Sequence, residues 1–333
     1  MSIDRLKIKL PPHIRMDCYR TALFPILEYY NADSNLLMVS SDSKFIYEKG
    51  LECDERKCYQ LNDVLQDFNI ERLLIEISND MDILSFLKLK LDNDCFAVCF
   101  LDVFFYSPFK SVFHKFHTIH GIPIFGYNDD KKVFYAIDSD YMESFERIFL
   151  EVPYDDVVKG VMGYYDLKKS PAIHILYKSK NIMEKPLSSN DIRKKYAMKL
   201  EEMFTSKRYN NCNYDMTDFC HYIFSYASSE NEMMNFSFKF YPQIDRFINA
   251  RMLEYYAMPR IFDNMNLLQQ IDTVTIEKCN FIRAIIYRTN FAKQYRRYSF
   301  ERFPEYFKIV FEKERERADF LKSFSWKENL KIL

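Results

Sequence analysis

The spacing of apolar positions along the chain changes period part-way. Over 18–30 (CYRTALFPILEYY), Ala22, Leu23, Ile26, Leu27 and Tyr30 recur at helical spacing, with Asp17 in place to cap the run. Pro25 falls inside it, which predicts a kink or a short first segment. Two more helices are predicted over 62–76, from Val64, Leu65, Phe68 and Leu73, and over 81–91, from Ile83, Leu84, Phe86 and Leu87. The texture then changes. Residues 95–105 (CFAVCFLDVFF) form a nearly continuous apolar run that suits a central strand buried on both faces. Stretches 119–127 and 133–137 read as hairpin strands joined by Asn128-Asp129-Asp130-Lys131, and 147–152 and 172–177 as two further strands. Helices followed by a sheet predict an α+β domain over 1–180.

From Ser188 onward the pattern is helical almost throughout, over 192–204, 217–226, 244–257, 261–270, 274–297 and 306–324. Glycine is absent after Gly163 and proline is scarce, which favours helix interiors, where each costs about 1 or 3 kcal/mol respectively. The polar stretch 178–189, carrying Pro186, reads as the linker to an all-helical domain over 181–333. No repeat of fixed period is present.

The chain has 333 residues, with 47 basic and 48 acidic side chains, so it has no global field to hold a nucleic-acid backbone. Its eight cysteines include no CxxC pair, which argues against a disulfide scaffold and for a reducing cytoplasm. The N-terminus lacks the apolar stretch of a signal peptide, and the run 95–106 is well short of the ~20 residues a membrane helix needs. A soluble cytoplasmic protein with no membrane segment is expected. The five glycines, at 50, 121, 126, 160 and 163, form neither a P-loop nor a dinucleotide fingerprint.

Cys18 opens the first predicted helix, where unpaired backbone N–H groups and the positive end of the dipole favour a thiolate. The same residue also reads as a small buried hydrophobe. A thiolate nucleophile needs a base, and there are six histidines: 13, 114, 117, 120, 174 and 221. Those in HKFHTIH fall on diverging directions of a helix and alternate faces of a strand, so no metal site is expected there. His120 opens the first strand of the predicted hairpin and Asp138 closes the second, so the two can face each other across the pair. In that role Asp138 is expected to accept the imidazole Nδ1 proton and fix the tautomer, with Asp140 as the substitute. Spacing leaves equally open a half-buried strand histidine beside a turn aspartate.

Taken together, the helix-opening cysteine (DCYRTALFPILEYY), the apolar strand ending in LDVFFYSPF, the H-x5-GY-[ND]-D stretch from His120 to Asp129, and VFYAIDSD closing on aspartate resemble the butirosin biosynthesis protein H family. That family is similar to the papain-like and C39-like cysteine peptidases. The resemblance covers the N-terminal half; the helical half matches only in kind. It implies a papain-like catalytic domain with Cys18 as nucleophile, His120 as base and Asp138 as orienting carboxylate. The implied activity is transfer of an acyl or peptidyl group from a carrier-protein phosphopantetheine thioester, through a cysteinyl acyl-enzyme, to a small amine in nonribosomal-peptide-type biosynthesis. No metal or separate cofactor is implied; the partners are an acyl or peptidyl carrier protein and the amine. The sequence departs from the family where VSSDSKFIY replaces a glycine-containing stretch, where Asn128 replaces an aspartate, and in having no glutamine just upstream of Cys18. A cysteine peptidase or thioesterase, with water as acceptor, is the alternative on the same residues, and a non-enzymatic binding module is a third. Carrier proteins are acidic, so Arg288, Lys293, Arg296 and Arg297 are the candidate docking residues, against the plainer reading of a solvated helix face.

Overall fold

A computed structural model describes residues 18–38, 41–47, 51–57, 61–78, 80–110, 112–139, 147–179, 188–205, 230–290 and 302–332. The chain is mixed α+β, with an antiparallel sheet and several helices, and it divides into two compact units. Residues 1–37 and 61–187 make one; residues 38–60 and 188–333 make the other.

The first unit contains α1 (Cys18–Tyr29), α2 (Asn35–Met38), α3 (Leu61–Asp67), α4 (Ile83–Asp92) and α5 (Tyr154–Lys168). Its sheet comprises β3 (Ile70–Ile75), β4 (Phe96–Asp102), β5 (Ile119–Asn128), β6 (Val133–Ser139), β7 (Arg147–Pro153) and β8 (Ile173–Lys178). These six strands pair antiparallel in the order β3-β8-β4-β5-β6-β7. Strand β4 is covered on both faces, which is why its sequence is nearly unbroken apolar. Ala97, Cys99 and Leu101 join the core shared with α4 and α5, while Phe96 packs edge-on against Tyr29 and Tyr30 at the end of α1. Helix α1 runs through Pro25 as a single element, with Ala22 to Leu27 all buried.

Three expectations are corrected. The apolar recurrence over 62–76 is not one helix. Val64 and Leu65 are buried in α3, but the chain then turns through Asn69 at φ 53° and enters the edge strand β3, where Leu73 and Leu74 are about half exposed. The pattern predicts no helix at α5, whose two glycines weaken helix propensity by about 1 kcal/mol each. They serve packing instead: a Cβ at Gly160 would lie 3.1 Å from Leu101 Cβ, so the α5 backbone rests directly on β4. Finally, the stretches 261–270 and 274–297 do not stand as two helices, since one helix spans Asn266–Asn290.

The second unit is not wholly helical. Its hairpin, β1 (Ser41–Tyr47) paired with β2 (Leu51–Lys57), lies against a long helix, α7 (Glu230–Ile261), although it belongs in sequence to the first domain. With α8 (Asn266–Asn290) and α9 (Phe303–Ser323), α7 encloses a core that includes Phe247, Ile248, Ile282 and Phe307, and α6 (Ser189–Thr205) packs against α9. Beside that core sits a buried charge cluster. Arg251 Nε donates to Glu314 Oε1 at 2.8 Å and Arg317 Nε donates to Glu254 Oε2 at 2.9 Å, each guanidinium gripping its carboxylate with a second arm. Asp272 is the third carboxylate, and both its oxygens are buried without a hydrogen bond. Burial, and then the negative charge of Glu254, hold its pKa well above the ordinary aspartate value. Two arginines against two carboxylates already balance in charge, so burial disfavours a third charge on Asp272. Among the described residues no helix is long and apolar enough to cross a membrane.

Candidate active site

Cys18 is the first residue of α1, at the positive end of that helix's dipole. Its sulfur lies over Gly121 of β5: a Cβ there would stand 3.6 Å from Cys18 Sγ. One residue earlier, His120 projects from the same strand and hydrogen-bonds Cys18. On the neighbouring strand β6, Asp138 faces the imidazole with both oxygens, 2.9 and 3.0 Å from Nε2. Three residues scattered over the sequence thus meet at the start of α1 and one end of the β5–β6 pair. Asp138 is 3% exposed and His120 12%, so the pair is shielded from water.

The ring orientation corrects one expectation. Asp138 holds Nε2, not Nδ1, which leaves Nδ1 as the nitrogen turned to the thiol. The base and orienter keep their positions, but the proton that Asp138 accepts is on the opposite nitrogen. Burial pulls the His120 pKa down. The charge of Asp138, hydrogen bonds to Asp138 and Cys18, and the charge of Cys18 together outweigh it and raise the value to about 9. The imidazolium is therefore the favoured form at neutral pH.

Tyr106 completes the arrangement and has no role in the sequence reading. Fully buried, it donates its hydroxyl to Asp138 Oδ2 at 3.0 Å. A 3-10 turn over Val103–Phe105 puts it there: the Asp102 side chain caps that turn at Phe104 N–H, and the Tyr106 N–H closes it on the Val103 carbonyl. Asp138 thereby accepts hydrogen bonds from two directions, which is what a buried carboxylate requires. The signal available in the sequence is the tyrosine of LDVFFYSPF, directly after the apolar strand.

A second imidazole–carboxylate pair lies nearby in sequence. His117 Nδ1 is 2.6 Å from Asp102 Oδ2, and its ring stacks on Phe104 at 4.4 Å. His117 is half exposed whereas Asp102 is buried. His114 stacks on Phe113 at 3.9 Å and also meets Phe104, at 5.2 Å. Among the described residues no group of three or more His, Cys, Asp or Glu side chains is placed to hold a metal ion.

Asp17, Asp140, Lys293, Arg296 and Arg297 lie outside the described residues, as does the side chain of Arg288 in α8. Arg283, from the same basic stretch, is bound to Asp245 at 2.7 Å. Of the other described cysteines, Cys95, Cys99 and Cys279 are buried, and burial pushes the Cys99 thiol far up. Among the described cysteines, Cys18 alone combines partial exposure with a histidine partner.

No protein-family model and no curated protein matches this chain.

Proposed function

We propose that the chain is a cysteine-dependent, amide-forming acyltransferase with a papain-like catalytic domain, as its resemblance to the butirosin biosynthesis protein H family implies. The donor is an acyl or peptidyl group on the phosphopantetheine thioester of a carrier protein, and the acceptor is a small amine. The observation that carries this reading is the continuous contact from Cys18 through His120 to buried Asp138, with the imidazole held in its charged form. An imidazolium beside the sulfur stabilises a thiolate, and the thiolate is the attacking species.

The chemistry proceeds in two half-reactions. The Cys18 thiolate adds to the thioester carbonyl, and the oxyanion that forms lies near the positive end of the α1 dipole. Collapse expels the pantetheine thiolate, which takes the His120 proton, and leaves a thioester on Cys18. The amine then adds to that thioester as neutral His120 removes its proton. Loss of the Cys18 thiolate yields the amide and restores the imidazolium pair. Thioester exchange is nearly isoenergetic and amide formation is downhill, so no ATP is required. Asp138 fixes the ring throughout, and Tyr106 fixes Asp138.

Product analysis tests this reading. Incubated with an acyl N-acetylcysteamine thioester and a primary amine, the protein is expected to release amide in preference to free acid, and Cys18→Ala to release neither. Free acid formed at an equal rate with and without amine would instead identify a thioesterase or peptidase on the same residues.

A further inference from the structure

Four aromatic rings, centred on Phe100, gather beside the nucleophile. Tyr19 follows Cys18 in α1, and Phe100 on β4 is the cross-strand partner of Gly121. The Phe100 ring centroid lies 5.5 Å from that of Tyr19, 5.0 Å from His174 on β8 and 5.4 Å from Tyr164 on α5. His174 meets Tyr19 edge-on at 4.9 Å. All four rings are only partly buried.

Gly121 ties this group to the sulfur. A Cβ at that position would lie 3.3 Å from Phe100 Cε1 and 3.6 Å from Cys18 Sγ, so the missing side chain leaves open the space between nucleophile and ring. An acyl group attached to Cys18 has that space beside it. The strip continues past His174 to its cross-strand partner Leu74, which is 45% exposed on the edge strand β3.

Charge narrows what the strip can take. Burial, and then the charge of Arg72, bring the His174 pKa down to about 4, so its ring is a neutral wall. Arg72 lies over the Tyr19 ring, its guanidinium carbon 5.9 Å from the centroid, and donates to the Tyr19 hydroxyl at 3.3 Å. Among the described residues it has no carboxylate partner. Aromatic groups of this kind also accept cations, but a fixed guanidinium repels one and attracts an anion.

Building on the acyl-transfer reading above, we propose that Tyr19, Phe100, Tyr164 and His174 form the subsite for the acyl group, and that it takes a planar aromatic acyl chain, neutral or anionic at its far end. Ring stacking selects the chain, Gly121 admits it beside the sulfur, and Arg72 sets the sign of charge it tolerates.

Single-turnover acylation of Cys18, followed by intact mass, tests the subsite with N-acetylcysteamine thioesters of phenylacetic and octanoic acids. These chains match in carbon count, and octanoyl exposes more apolar area, so a merely greasy surface favours octanoyl. The aromatic chain is expected to react at least about tenfold faster, falling to within about threefold of octanoyl in Phe100→Leu and in Tyr164→Leu. A 4-carboxymethyl substituent on the phenylacetyl ring is expected to react faster than a 4-aminomethyl one, and Arg72→Gln to remove that difference. Each result is a ratio within one protein preparation, so partial misfolding of a variant cancels. Octanoyl reacting as fast as phenylacetyl in the native protein, or an undiminished aromatic preference in both leucine variants, would overturn the subsite and leave acyl transfer standing. If iodoacetamide labels Cys18 while neither thioester acylates it, acyl transfer itself falls and the subsite with it.

Discussion

Replacing Asp138 by asparagine removes one buried charge while keeping the shape of the side chain and an acceptor oxygen for His120 Nε2–H. In the native protein burial works against the imidazolium, and the charge and hydrogen bonds of Asp138, aided by Cys18, carry its pKa from 6.5 to about 9. Without the carboxylate burial dominates, and the pKa is expected to drop to 6.5 or below. That change corresponds to about 3 kcal/mol of imidazolium stabilisation. At about pH 7.5 the charged ring falls from roughly 97% of molecules to under about 10%. NMR titration of 13C-labelled histidine reads this directly, with the His120 resonance assigned by its loss in His120→Gln. Iodoacetamide alkylation of Cys18 at the same pH is expected to slow by about tenfold, in step with the imidazolium population. A His120 that still titrates near 9 in Asp138→Asn would refute the argument that this carboxylate sets the charge state of the site.

The same pair has a signature in stability. The folded pKa of His120 stands above its unfolded value, so its contribution is complete below about pH 6.5 and is lost as pH rises through 9. The gap in urea midpoint between native protein and Asp138→Asn is therefore expected to shrink over that window; a constant gap counts against the linkage. Tyr106→Phe takes a hydroxyl donor from a buried carboxylate and is expected to cost about 2 kcal/mol in urea unfolding, with no measurable change contradicting the bond. Gly163→Ala places a Cβ 2.9 Å from Asp102 Cβ, so it should destabilise by about 1–3 kcal/mol where an exposed helical site would gain about 1. In the second unit, Asp272→Asn mimics the protonated acid and is expected to change stability at neutral pH by less than about 1 kcal/mol, whereas Glu314→Gln breaks a buried pair and costs about 3–5. Equal losses from the two substitutions would contradict a neutral Asp272.

The meeting of His120 and Asp138 is legible in the sequence because a hairpin carries its own geometry: once the turn at 128–131 is found, the two strand ends are neighbours. Cys18 is legible from helix spacing, since it stands just ahead of the buried run Ala22 to Leu27. Which imidazole nitrogen faces the carboxylate is not legible, because strand pairing fixes the backbone and leaves the ring free to turn. Tyr106 reaches Asp138 across 32 residues of sequence, and no local pattern encodes a contact of that span. The apolar residues of edge strand β3 also fit a 3.6-residue period, and only pairing with β8 decides between strand and helix. Helix α5 was hidden by Gly160 and Gly163, whose low propensity is the condition for its close approach to β4. Hairpin β1–β2 groups with a helix nearly two hundred residues later in the chain, an association that period and propensity cannot express.

Peptide mapping of the protein quenched during turnover of an acyl thioester tests the central claim most directly. The acyl mass is predicted on the peptide carrying Cys18, lost on addition of a primary amine with matching release of amide, and absent from His120→Gln. An acyl group found on another residue, or amide formed at an undiminished rate by Cys18→Ala, would contradict catalysis through this cysteine.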